Sequence, residues 1–199
     1  MSRDVWPVAA FALTYKLGIH MAAVLIKPML VDAQWTDRSI GLVAVTFGIA
    51  GALVGAAVGG VLHRAMREGR ALLVGGVLHT LVCIPLLVAY LAGVPHGLTS
   101  VAIVAEHFVS GLGTTVLFAA LMSATRKSDA ALHYTLLTSL NAVAIGIGGT
   151  CGGFMADRFG KGAVFAIAAV VSALPLLFIP IWARAAGASA RAPASFRTS

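Results

Sequence analysis

The chain has 199 residues, 59% of them hydrophobic and 11% charged, with a mean hydropathy of +0.95 and a formal net charge of +7. That balance leaves too little polar surface for a soluble domain of this length. The basic residues sit in short segments between apolar stretches, which argues against a nucleic-acid surface and for a membrane protein that follows the positive-inside rule.

Six apolar stretches run almost end to end: Val5–Leu30, Ile40–Leu62, Ala71–Ala92, Leu98–Thr125, Leu132–Met155 and Gly162–Ala183. Each can cross a hydrocarbon layer of about 30 Å at about 1.5 Å per residue. With no water to satisfy the backbone there, such stretches must be helices. The sequence therefore predicts an all-α, integral membrane six-helix bundle over 1–184, followed by a disordered cytoplasmic tail over 185–199 that is rich in Ala, Ser and Arg.

Span one carries Tyr15, Lys16 and His20, with Lys27 and Pro28 near its end. Lys16 and His20 are four residues apart and share a helix face. Span two has Gly51, Gly55 and Gly59 at the same spacing, a face that lets helix backbones approach closely in lipid. Arg64, Arg67 and Arg70 follow it. Span three has a single ionisable residue, His79, together with Cys83 and Pro85. Span four carries Glu106 and His107, with Gly111 and Gly113 expected to loosen its middle. Span five has Asn141 and a second set of small residues, Ala144, Gly148 and Gly152, and span six has no ionisable residue before Arg184. Spans three and six are the ones expected to face lipid.

Ionisable groups inside a bilayer cost about 2.5–3.5 kcal/mol each on insertion scales, so each needs a reason. Counted inward from opposite ends, His20 and Glu106 lie at similar depth, with Lys16 one turn further in. Two readings follow: a structural ion pair between spans one and four, or a substrate and proton-coupling site. Asn141 and His107 belong to the same polar set. Cys83 and Cys151 fall on different spans and read as small apolar residues rather than a disulfide.

An offset of 93 residues places Gly55 on Gly148, Gly59 on Gly152 and Gly60 on Gly153. The chain thus reads as two three-helix units. An odd number of spans per unit inverts the second, and inverted repeats are a transporter signature. The glycine faces serve close packing or a sliding interface. No HExxH, GxSxG, P-loop or metal-spaced Cys/His cluster is present, so neither an enzyme nor a cofactor or metal site is expected.

These residues resemble a known family. GGVLHRAMREGRALLVGG, Gly59–Gly76, resembles the glycine–basic loop between the second and third helices of each half of a major facilitator superfamily (MFS) transporter. The resemblance implies a cytoplasmic gating loop made by Gly59, Gly60, Arg64, Arg67 and Arg70. His63 stands where the family pattern has an Asp, while an Asp-Arg pair occurs at Asp157 and Arg158 in the repeated segment. YKLG (Tyr15–Gly18), LIKPMLVDAQW (Leu25–Trp35), EHFVSGLGTTVLFAALMSATRK (Glu106–Lys127) and HYTLLTSLNAV (His133–Val143) resemble the C-terminal half of two groups. These are the AmpG-like muropeptide permeases and the RhtX/FptX-like siderophore permeases, the second slightly favoured by the EH and YTLL segments. Ile19 stands where the muropeptide group usually has an Asp.

The resemblance implies helices seven to twelve of a twelve-helix inner-membrane permease, moving a siderophore-like or muropeptide-like solute by alternating access, as a symporter. Its partners would be membrane lipid, the polar solute and a second six-helix half or a second copy. The alternative is a truncated, non-transporting membrane protein that partners another transporter.

Arg3, Arg64, Arg67, Arg70, Arg126, Lys127, Arg184, Arg191 and Arg197 fall on one side of the six spans, against Arg38, Arg158, Lys161 and Lys27 on the other. Both termini are therefore expected in the cytoplasm. A reporter fused after Ser199 should be active only in a cytoplasmic format; activity of a periplasmic reporter there would reverse the topology.

Overall fold

A computed structural model describes residues 10–11, 13–124 and 130–179. The described residues are helical with no strand, and five helices are long and apolar enough to cross a membrane. The protein is thus a multi-pass membrane protein. The expected tail lies outside the described residues.

The first apolar stretch is not one continuous helix. Residues 10–11 and 13–15 are helical, and the backbone then turns at Lys16 (φ −107°, ψ −1°). Helix α1 spans Leu17–Ala23 and α2 spans Ile26–Asp32. Pro28 has no N–H to give to the Val24 carbonyl, and the chain tightens just before it, with the Leu25 N–H donating to the Ala22 oxygen at 3.0 Å.

Helix α3 spans Asp37–Ala65 and is π-wound over Gly41–Phe47, starting from a Thr36 cap whose hydroxyl accepts the Ser39 N–H at 3.2 Å. Helix α4 spans Glu68–Leu91 and runs unbroken through Pro85. Helix α5 spans His96–Ala124 and α6 spans Ala130–Phe159. Helix α7 spans Lys161–Ala173 and tightens to a 3-10 turn over Leu174–Phe178, opened by Pro175.

The pairing of these helices is set by where side chains are missing. The most extensive contact is α3 along α5; α4 lies between α5 and α7, and α1 packs on α6 and α7. On α3, a Cβ added at Gly51 would lie 3.1 Å from the Val104 oxygen, and one added at Gly59 would lie 2.6 Å from the Leu112 oxygen; Gly55 is still closer to Phe108. On α6, a Cβ at Gly148 would lie 2.7 Å from the Leu17 oxygen and one at Gly152 would lie 2.6 Å from the Met21 oxygen. Both pairs run parallel, because partner numbers rise together. At Gly55, Gly59, Gly148 and Gly152 such distances admit only hydrogen, so backbone meets backbone along both seams. Gly111 and Gly113 do not loosen α5. The helix is continuous, with Gly111 abutting the Ala52 backbone and Gly113 leaving room for the His79 ring.

At one end of the bundle, α2 and α4 both finish in Schellman turns, in which Gln34 (φ 57°), Gly93 (φ 79°) and Val94 (φ 59°) take left-handed backbone. Trp35 joins the two turns: its Nε1–H donates to the Val94 oxygen at 3.3 Å, and its ring stacks on His96 at 4.2 Å. At the head of α7, Lys161 pairs with Asp32 of α2.

Substitution of Gly59 by Ala should destabilise the fold by about 1–3 kcal/mol, as overpacking against backbone does. Gly146→Ala and Gly153→Ala, which have nothing within 4 Å of the added carbon, should leave it unchanged. Unfolding of the three variants in mixed micelles checks the contrast.

Candidate functional site

The polar groups of the spans gather in the interior. Lys16 and Glu106 are each 3% exposed, His79 is fully enclosed, and Asn141 is 4% exposed. A buried charge must be matched by hydrogen bonds or an opposite charge. Lys16 meets that demand with neutral oxygens of α5. Its Nζ donates to the Thr114 hydroxyl oxygen, to the Ser110 carbonyl at 3.4 Å and to the Ser110 hydroxyl at 3.5 Å. Thr114 Oγ1–H in turn donates to the Ser110 carbonyl at 2.6 Å, which fixes the hydroxyl lone pairs toward the ammonium.

Glu106 lies on the same face of α5, one turn before Ser110. It takes a different partner: its Oε2 is 2.9 Å from His107 Nδ1, which also lies 3.0 Å from the Ile103 carbonyl. Nδ1 must therefore carry the proton, shared between carboxylate and carbonyl. The His107 ring packs on Gly48 of α3, where a Cβ would sit 2.8 Å from Nε2. The two opposite charges thus stand on one helix face, each with its own partners and no ion pair between them within 4.0 Å.

Tyr15 is buried. Its hydroxyl donates to the Leu72 carbonyl at 3.0 Å, and its ring meets His79 edge-on at 5.4 Å. Both ring nitrogens of His79, with His20 Nε2 and Asn141 Oδ1, are buried without a hydrogen-bond partner. Buried orphans of this kind mark positions that a water, a ligand or another conformation satisfies. An apolar groove between α3 and α5, lined by Phe47, Ala50, Val54, Val101 and Phe108, contributes none of these groups.

Of the residues singled out from the sequence, the structure joins Lys16 to α5 and Glu106 to His107, and leaves His20 and Asn141 with free acceptor or donor atoms. Gly51, Gly55, Gly59, Gly148 and Gly152 lie at helix contacts, whereas Gly60 has only a loose contact with Thr115. Arg64 ends α3, Arg67 precedes α4 and Arg70 lies in its first turn, all three exposed. Two residues were not anticipated, Ser110 and Thr114, which hold Lys16. His79, the one ionisable residue of its span, sits deep in the bundle although α4 was expected to face lipid. Lys16 and Glu106 are enclosed within this chain alone. Cys83 is buried, Cys151 exposed, and both are free.

This is an all-helical, multi-pass membrane protein with a charged cluster in its interior. No family model matches the chain. Among curated proteins it is similar to the anhydromuropeptide permease of Escherichia coli (strain K12), at 30% identity over 186 residues, covering 88% of this chain and 36% of that protein. It is 25% identical over 167 residues to the putative transporter AmpG 4 of Rickettsia conorii, covering 83% of this chain and 40% of the relative. It is 23% identical over 172 residues to the putative transporter AmpG 1 of Rickettsia prowazekii, covering 86% and 39%. These likenesses fit a partial MFS transporter of the AmpG-like kind. The chain spans roughly two-fifths of the length of the relatives it matches.

Replacing Thr114 by Val removes an acceptor from a buried ammonium and should cost about 1–3 kcal/mol. Thr115→Val, whose hydroxyl bonds only its own helix at Gly111, should cost less than about 0.5 kcal/mol. Paired unfolding curves check the difference.

Proposed function

We propose that this chain is the C-terminal six-helix half of a secondary transporter that moves a polar, muropeptide-like solute across the inner membrane by alternating access. The observation that carries the reading is similarity over 83–88% of the chain to proteins named as permeases or transporters. The relative named as an anhydromuropeptide permease favours a muropeptide-like solute over the siderophore-like one.

The packing supports a six-span unit made of two inverted repeats. The segment over residues 10–32 supplies the sixth span, broken at Lys16 and Val24–Leu25. Exchange of the repeats turns the α3–α5 seam into the α1–α6 seam. Gly55 and Gly59 meet Phe108 and Leu112, as Gly148 and Gly152 meet Leu17 and Met21. Broken helices with polar groups at mid-depth are a transporter device. Glu106, buried in the bundle and hydrogen-bonded to His107, is the group we assign to proton coupling. Arg64, Arg67 and Arg70, at the joint of α3 and α4, form the gating loop on the cytoplasmic side, with both termini in the cytoplasm.

A second six-helix unit completes the transporter, because this chain corresponds to only part of its relatives' length. Vesicles holding the chain together with such a unit should take up labelled anhydromuropeptide, and vesicles holding the chain alone should not. Glu106→Gln should lower uptake driven by a proton gradient about tenfold or more while solute exchange without a gradient persists. Uptake by the chain alone would refute the two-unit reading, and an unaltered gradient response in Glu106→Gln would refute the coupling role.

A further inference from the structure

Among the described residues, no carboxylate pairs with Lys16 within 4.0 Å. All three of its hydrogen bonds go to neutral oxygens, and two of them are long, at 3.4 and 3.5 Å to Ser110. The only carboxylate near it along α5, Glu106, is taken by His107. One turn along α1, His20 has its own deficit, a buried Nε2 with no partner. The turn at Lys16 does not break the register between them, since the His20 N–H still donates to the Lys16 carbonyl at 3.2 Å. An ammonium held only by neutral oxygens and an unpartnered ring nitrogen thus stand on one face, four residues apart.

We propose that Lys16 and His20 together seat an anionic group, a carboxylate, of the transported solute; the proposal rests on the transport reading above. The chemistry is selective for an anion. An ammonium has only donors, and a neutral imidazole with its proton on Nε2 adds a second donor one turn along the helix. A carboxylate has two oxygens and can accept from both, giving charge-assisted bonds that replace the long contacts to Ser110. One ligand group would then remedy two separate shortfalls. Ser110 and Thr114, which hold the ammonium in this structure, are half-exposed, so Nζ lies one side-chain layer beneath the bundle face. Thr114 remains a positioning residue, since its hydroxyl keeps the ammonium aimed while the Ser110 contacts are given up.

The test uses the full chain together with the second six-helix unit in nanodiscs and two probes, an anhydromuropeptide with free peptide carboxylates and the same compound with those carboxylates amidated. The free acid should bind about tenfold or more tighter than the amide, an advantage lost in Lys16→Gln and largely kept in Lys16→Arg. Protection of Lys16 from an amine-reactive reagent, read by mass spectrometry, should be given by the acid and not by the amide; a lysine that only ties two helices would show no such difference. If Lys16→Gln fails to fold, the acid-to-amide ratio and the protection pattern of the unaltered chain still decide. Equal binding of acid and amide would overturn the anion seat and leave the transport reading standing. Binding of neither would overturn both.

Discussion

Close contact between helix backbones is the condition on which this fold rests. In lipid the hydrophobic effect does little to hold one helix against another, so association depends on dispersion at short range and on polar contacts. Glycine supplies the short range. Along α3 and along α6 it brings carbonyl oxygens of the neighbouring helix to where a side chain would otherwise stand. Gly111 does the same in reverse from α5 toward Ala52, so that seam is tight from both sides. With α3–α5 and α1–α6 fixed in this way, the side chains of α1 and α5 have few options, and Lys16 is brought against Ser110 and Thr114.

The interior charges make sense only inside that frame. A buried ammonium and a buried carboxylate could have neutralised each other directly, yet Lys16 and Glu106 are held by separate partners. A direct pair would favour one packing of α1 on α5. Hydroxyl and imidazole partners satisfy the same charges with weaker, more exchangeable bonds. The orphaned nitrogens of His20 and His79 point the same way, because an enclosed polar atom left unpaired raises the energy of the packing that encloses it.

How far the sequence reveals this can be judged residue by residue. The helices α3 to α6 are legible because hydrocarbon forces long apolar runs into hydrogen-bonded helices; Leu98–Thr125 becomes His96–Ala124. The enclosure of Lys16 and Glu106 is legible as well, from the cost of placing either against lipid. The break in the first stretch is less so, since Pro28 and Lys16 are compatible with a continuous helix until packing is known. Ser110 and Thr114 are illegible as partners. Serine and threonine in such helices usually bond their own backbone, as Thr115 does, and nothing local says which of them also faces a lysine. His79 misleads for a related reason. Its helix is apolar throughout, but whether a residue is enclosed is decided by the neighbours, here by the missing side chain of Gly113.

The interruption of the first stretch bears on how the chain is made. A ribosome releases α1 and α2 first, short, kinked and carrying an ammonium whose acceptors lie on α5, some 94 to 98 residues downstream. Its glycine-lined groove on α6 and its contacts on α7 emerge later still. The earliest part of the chain to reach the bilayer is therefore among the last to find its place. Until α5 to α7 arrive, it must wait at the interface or in the care of the insertion machinery, with its ammonium hydrated. Every contact that seats the broken first helices on α5, α6 and α7 is thus made by residues translated after them.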